Sequence, residues 1–366
     1  MNAAGELYIG LMSGTSSDAI DAALVSITES STRLLHSLAV PIDKSLTGCI
    51  RAAVDGSADR LEDVYALDVA LGEAFADAAL ALIKASGKRT IKAIGSHGQT
   101  VRHRPNAARP FSAQLGSGAV IAARTGITTV NDFRSGDIAL GGQGAPLTPV
   151  FHQALFSAAD EHRVILNIGG ISNVTILHGK SSLLGFDTGP GNTLLDHWYR
   201  CHHLGQFDKN GDWSRDGQQL TGLLDNLLDD PYFSRPVPKS TGLEYFNLNW
   251  LRGHLDGTEK PEDVQATLVC LTAQSITQAL QMHAPQTGRM FLCGGGAQNQ
   301  QLVRQLREGL PNVALHQTDE LGIPTDWVEA VAFAWLARQR LKAQVTSLPE
   351  VTGAHQPLSL GAVYLP

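Results

Sequence analysis

Cysteine is scarce in this chain. Four occur in 366 residues, at Cys49, Cys201, Cys270 and Cys293, and no CxxC pair exists. Such wide spacing suggests neither a zinc site nor a disulfide framework. Long hydrophobic runs are missing as well; none approaches the roughly 18 residues of a membrane span. The opening Met1-Asn-Ala-Ala-Gly-Glu lacks the basic start and apolar core of a signal peptide. A soluble cytoplasmic protein with no membrane partner is therefore expected. Positive charge is not in excess: 28 Lys and Arg face 35 Asp and Glu, a net charge of −7. That argues against nucleic acid as the main partner. No GxxxxGK[ST] and no HExxH occurs, and no complete GxGxxG follows a strand-like run. A P-loop enzyme is excluded, a dinucleotide reading is weakened, and no metal-binding histidine spacing is seen.

What the chain has in excess is glycine. It holds 37, about a tenth of its residues against about 7% in average proteins. They are not periodic, which excludes collagen. They cluster beside apolar runs, the pattern of backbone loops that approach a ligand. The rest is ordinary: 43% hydrophobic and 17% charged residues describe a globular protein. The length suits about two domains.

Apolar runs alternate with helical periodicity. Residues 7–12 and 20–27 read as two strands around a polar turn. Residues 58–86 carry Leu61, Val64, Leu67, Leu71, Phe75, Ala78 and Leu82 at helical spacing, closed by Gly87. Strands are expected at 91–96 and 128–131, with a helix at 115–126. Residues 134–149 are rich in Gly and Pro and are the best candidate for a domain crossing or cleft loop. Residues 164–168 and 174–177 repeat the pattern of strand, Gly/Ser turn, strand, about 155 residues after the first copy. Such a repeat hints at duplication, although strand–Gly turn–strand is also common by chance. Residues 201–260 are polar and read as loops and short helices. Helices follow at 262–284, 298–308 and 327–341, with a strand at 290–293. The alternation implies an α/β fold.

Five places can carry chemistry. The first is Gly14-Thr15-Ser16-Ser17-Asp18-Ala19-Ile20-Asp21. Gly and small hydroxyl residues offer the N–H and O–H donors that phosphate oxygens require. Asp18 or Asp21 is a candidate holder of Mg²⁺ through water. The second is Gly169, Gly170, Ser172 and Asn173, by the same reasoning. A polar hairpin turn is the plain alternative for both. The third is Gly294, Gly295, Gly296 with Asn299, where a base or ribose can approach the backbone; a tight strand-to-helix connection is the alternative. The fourth is Phe186-Asp187-Thr188-Gly189-Pro190-Gly191-Asn192. An acid at a strand end before a Gly-Pro-Gly turn is expected to stand out from the sheet, where it can take a proton. Capping of the next helix is the alternative. The fifth is the polar cluster Ser96-His97-Gly98-Gln99-Thr100 with Arg102, His103 and Arg104, joined by Asp132 and Arg134; several hydrogen-bonding side chains suit a sugar. Glu329 stands in an apolar helix start and must be paired, ligand-facing or on an exposed stripe.

Taken together, these segments resemble the anhydro-N-acetylmuramic acid kinases. The resemblance rests on Gly10 to Asp21, Ser96 to Thr100, Asn131 to Arg134, Asn167 to Asn173, Phe186 to Asn192, Gly294 to Asn299 and Asp326 to Ala330, in the family's order. One departure is Ala19, where the family usually has Gly. The resemblance implies a duplicated, two-domain actin-like (ribonuclease H-like) fold with an ATP cleft between the domains. A boundary is expected near residue 134, giving domains 1–134 and 135–366, with the destination of the C-terminal tail left open. It also implies an activity: 1,6-anhydro-N-acetylmuramic acid, ATP and water give N-acetylmuramic acid 6-phosphate and ADP, a step in recycling cell-wall peptidoglycan. The Gly loops would bind ATP and Mg²⁺. Asp187 would be the catalytic base, and His97, Gln99, Arg134, Asp187 and Glu329 would meet the sugar. The partner is a small amino sugar, and a homodimer is left open. Two other readings remain: another sugar or carboxylate kinase of the same superfamily, and a non-enzymatic actin-like nucleotide switch.

Overall fold

A computed structural model describes residues 5–14, 17–87, 89–179 and 182–366. The described residues form thirteen strands, here numbered in chain order: β1 Glu6–Ser13, β2 Ala19–Ile27, β3 Thr32–Pro41, β4 Ala93–Ser96, β5 Gln99–Arg104, β6 Phe111–Leu115, β7 Thr129–Asn131, β8 His162–Ile168, β9 Ile171–His178, β10 Ser182–Pro190, β11 Arg289–Cys293, β12 Ala314–Gln317 and β13 Ala362–Tyr364. The chain divides into two compact units. Unit 1 is residues 1–155 with 327–366, and unit 2 is residues 156–326.

Both units repeat one plan. The main sheet of unit 1 runs β3-β2-β1-β4-β7-β13, and that of unit 2 runs β10-β9-β8-β11-β12. In each, the first strand pairs antiparallel with the second and parallel with the fourth, which pairs parallel with the fifth. Two copies of this mixed sheet with covering helices make a duplicated α/β fold of the kind the resemblance implies. Unit 1 adds β13, antiparallel on β7, at the C-terminal end of the chain.

In unit 1 the strands alternate apolar residues toward the helices Leu61–Ala85 and Gly118–Thr125. Ile9, Leu11, Ile20, Ala22 and Leu24 meet Leu67, Leu71, Phe75, Leu82 and Ile121 in one core. The helix Val328–Leu341 lies directly on β1 and β4 from within the same unit. Only glycine allows that approach. A Cβ on Gly10 would fall 1.7 Å from the Ala330 carbonyl oxygen, and one on Gly95 would fall 2.0 Å from that of Phe333. In unit 2, Val164, Leu166, Ile168, Val174, Ile176 and Phe186 pack against the helix Pro261–His283, which contributes Val264, Leu268, Leu271, Ile276 and Leu280. Among the described residues no helix is long and apolar enough to cross a membrane.

The division falls at 155/156, later than the boundary expected near 134. The Gly/Pro-rich segment is therefore part of unit 1. It opens with a short helix, Ser135–Ala139, and is tied to residues 347–355 rather than strung between domains. The tail returns to unit 1 because β13 completes its sheet. Strand β3 carries no signal in the sequence; none of its ten residues is buried, five are exposed, and they show no clean two-residue period.

Candidate active site

The hairpin turn of unit 1 joins β1 to β2. Thr15 and Ser16 lie outside the described residues. Around them, the Ser17 amide donates to the Gly14 carbonyl at 3.2 Å, and Ser17 adopts a positive φ of 54°. The Thr47 hydroxyl donates to the Ser17 carbonyl at 3.3 Å, and the Ile42 amide to that of Asp18 at 2.9 Å. Asp18 is exposed at the turn, while Ala19 and Asp21 are half-buried in β2. The Ile20 side chain is 1% exposed and belongs to the core. The Ser13 hydroxyl donates to Gln99 Oε1 at 2.7 Å, so the turn and the polar cluster after β4 are physically joined.

His97 and Arg134, distant in sequence, meet in that cluster. His97 Nδ1 lies 2.9 Å from the Gly98 carbonyl, which requires the proton on Nδ1. Its Nε2 then accepts from Arg134 Nη2 at 2.9 Å, and Arg134 Nη1 donates to the Gly144 carbonyl at 2.7 Å. Burial, then the Arg134 charge, drives the His97 pKa down to about 3. A neutral imidazole fixed in this tautomer acts as an acceptor for Arg134. The ring also packs on Phe333 of the helix 328–341, at a centroid distance of 4.8 Å. Glu329 occupies the first turn of that helix, half-buried. A carboxylate is favourable there because the helix N-terminus carries partial positive charge.

In unit 2 the sheet register produces a polar row. Asp187 on β10 faces Asn173 on β9, which faces Asn167 on β8. Neighbours in register share a face, and the residues beside them in each strand, Phe186, Val174 and Ile168, enter the core. The row therefore lies on the opposite face of the sheet. Asn167 Oδ1 and Asn173 Oδ1 are buried without a hydrogen-bond partner in the protein. Buried carboxamide oxygens rarely go unpaired, so a bound ligand or water fits them.

Asp187 itself differs from the expectation of an acid held out from the sheet. It is 5% exposed and sits inside β10, because a bulge between Asp187 and Gly189 lets the ladder continue to Pro190. A strap of residues 239–241 holds it. The Asp187 amide donates to the Lys239 carbonyl at 3.1 Å, and the Thr241 amide donates to Asp187 Oδ2 at 3.0 Å. The Tyr232 hydroxyl donates to the Asp187 carbonyl at 2.8 Å. Lys239 Nζ donates to the Tyr232 and Phe233 carbonyls at 3.1 and 3.0 Å. Burial and the nearby Arg235 charge lower the Lys239 pKa to about 8, with Asp187 opposing them.

The second hairpin turn is locked. The amides of Gly191 and Thr193 donate to the Gly170 carbonyl at 2.9 and 3.0 Å, and that of Asn192 to Gly169 at 2.8 Å. The start of the helix Asn192–His202 is thus stitched to the turn. The Ser172 hydroxyl is paired with that of Thr188 in the sheet. The third glycine segment packs on the same place. A Cβ on Gly296 would fall 2.3 Å from the Ile168 side chain, whereas Gly295 meets only Asn192, at 3.9 Å. Asn299 caps the helix Gln300–Gly309, its Oδ1 accepting the amides of Gln301 and Leu302 at 3.1 Å. Within unit 2 the turn at 169–170, the Gly-Pro-Gly turn and the triplet 294–296 are therefore neighbours.

The sequence that builds this geometry matches a known family. The model of the anhydro-N-acetylmuramic acid kinase family matches residues 6–366. The chain belongs to that family. Proteins named anhydro-N-acetylmuramic acid kinase from Nitrosomonas europaea and Coxiella burnetii are each 47% identical to it. The first aligns over 98% of this chain and 99% of its own, the second over 98% and 97%. The one from Photobacterium profundum is also 47% identical, over 98% of both chains.

In this family member the structure adds residues that sequence reasoning passed over. Asn167 and Asn192 were visible as motif ends, but nothing in the spacing showed that both would border the glycine triplet. Lys239 and Thr241 carried no local signal; only the fold brings them to Asp187.

Proposed function

We propose that the chain transfers the γ-phosphoryl group of ATP to O6 of 1,6-anhydro-N-acetylmuramic acid while water opens the anhydro ring. The observation that carries this reading is the family match over nearly the whole chain, with the family's Asp187 motif intact. The chemistry explains why an acid is needed. The substrate has no free 6-hydroxyl. Water attacks C1, the C1–O6 bond breaks, and O6 bonds to the γ-phosphorus as ADP leaves. One proton of the water must go to a base, and we assign that role to Asp187. The Thr241 amide on Oδ2 and the strap at 239–241 support it by fixing the carboxylate. His97, Gln99, Arg134 and Glu329 are assigned to the sugar, with Arg134 as the cation for its lactyl carboxylate. The products are N-acetylmuramic acid 6-phosphate and ADP, which places the chain in peptidoglycan recycling.

Phosphoryl transfer depends on positioning and charge neutralisation. We assign the turn at 14–21 to the phosphates, with Gly169, Gly170, Ser172, Asn173, Gly294, Gly295, Gly296 and Asn299 as the remaining nucleotide-binding set. The described residues hold no cluster of three or more metal-ligating side chains. Asp18, exposed at the turn, and half-buried Asp21 are oxygen donors of the kind Mg²⁺ takes one or two of while it keeps several waters. Asp18 and Asp21 would hold it, and it would neutralise phosphate charge. The test is ADP release with 1,6-anhydro-N-acetylmuramic acid in ¹⁸O-labelled water. Label at C1 of the product is expected; no ADP release with this sugar would overturn the reading.

A further inference from the structure

The Gly/Pro-rich segment contains a carboxylate that the proposed reaction does not use. Asp137 is 0% exposed. Its Oδ2 accepts the Gly144 amide at 2.7 Å. Its Oδ1 accepts the Thr352 hydroxyl at 2.7 Å and also the Ser347 hydroxyl. Its carbonyl accepts the Gly142 amide at 2.9 Å. Two backbone bonds reinforce the same contact: Gln143 N–H to Thr352 O at 2.7 Å and His355 N–H to Leu140 O at 2.8 Å.

Gly144 links this network to Arg134. Its amide is held by Asp137, and its carbonyl accepts Arg134 Nη1 at 2.7 Å. Gly144 is thus held through both of its flanking peptide units, the amide by a buried carboxylate and the carbonyl by the guanidinium. The guanidinium is then held from two directions, by Gly144 and by His97 Nε2. A planar fork held at two edges has one orientation left for a ligand.

We propose that Asp137 is a positioning residue for Arg134, and that the segment 347–352 takes part in sugar recognition by anchoring it. This rests on the assignment of Arg134 to the sugar. Asp137 touches no substrate; it acts through Gly144.

The test is a double-mutant cycle in the full chain, with KM for the anhydro sugar and for ATP measured separately. Asp137→Ala is expected to raise the sugar KM about tenfold, as loss of a charged hydrogen bond does, and to leave the ATP KM within about twofold. In an Arg134→Ala background the same change should add almost nothing, because the two act as one unit. Asp137→Asn keeps an acceptor for Gly144 and should restore most of the sugar affinity. If Asp137→Ala does not fold, Thr352→Val carries the test, with the same split at smaller size. An unchanged sugar KM, an equal rise in both KM values, or full additivity with Arg134→Ala overturns the proposal. A wild-type chain that does not turn over the sugar instead defeats the functional reading, and the proposal with it.

Discussion

The two hairpins occupy the same place in two copies of one sheet, yet different parts of the chain hold them. The turn between β8 and β9 is stitched through its backbone: the carbonyls of Gly169 and Gly170 accept three amides from residues 191–193. The turn between β1 and β2 is held at Ser17 and Asp18, by a hydroxyl and an amide from the segment that follows β3. A Cβ on Gly14 would meet nothing within 4 Å, whereas one on Gly191 would fall 2.4 Å from the Gly169 carbonyl oxygen. The second turn is therefore packed against residues 191–193, whereas the first has room beside Gly14. Asp187 lies next to the fixed one, where its position can be controlled; exposed Asp18 lies at the roomier one.

The largest effect should come from the acid beside the fixed turn. Asp187→Asn is expected to lower kcat by roughly 10²–10⁴-fold, the usual span for a lost general base, with nucleotide binding retained by calorimetry. Near-normal turnover would remove Asp187 as the base. Next in size is Gly191→Ala. Gly191 has φ −95° and ψ −111°, and its added methyl would meet backbone that cannot yield. A loss of about 1–3 kcal/mol in urea unfolding is expected from such overpacking. A change below the measurement error would mean that the second turn is not locked.

Acid should also separate the units. His97, His103 and His152, all in unit 1, are held neutral by burial, each with its pKa lowered to about 3. Unfolded histidine binds a proton near pH 6.5, and these folded ones do not. Between pH 6.5 and about 3 the unfolded state therefore binds more protons, and stability falls as pH falls; above 6.5 the contribution is constant. In unit 2, His178, His202 and His283 are also lowered, but they are less deeply buried. Hydrogen exchange at pH 7 and pH 5 should show unit 1 losing more protection; equal loss in both units would contradict this. The smallest effect is expected for Gly14→Ala. Its stability cost should stay within about 0.5 kcal/mol, as at an open surface position. A larger drop would show that the first turn is as constrained as the second.

Much of the fold could be read directly. Short apolar runs bounded by Gly and Ser are strands because nothing longer fits between the breakers, and the heptad-like spacing from Leu61 to Leu82 is a helix in the structure. The candidate site was legible as motifs, since phosphate-type loops need Gly and small hydroxyls in local sequence. What stayed hidden was each side chain's partner. Ile20 sits in a turn motif, yet period-two alternation sends it into the core. Asp187 looked like a strand-end acid until the bulge extended β10 past it. Edge strand β3 left no periodic trace.

Local sequence by itself determined where the chain turns, which faces are apolar, and which family it resembles, because backbone conformation and burial period act over a few residues. Tertiary structure alone decided that β13 returns to β7, that His97 hands its acceptor to Arg134, and that Asp137 is buried against Thr352. These pairings join residues up to 235 positions apart, the separation of Thr129 from its partner Tyr364 in the β13–β7 contact. No local propensity encodes them; they exist because a buried polar group must find a partner and a sheet edge must be covered.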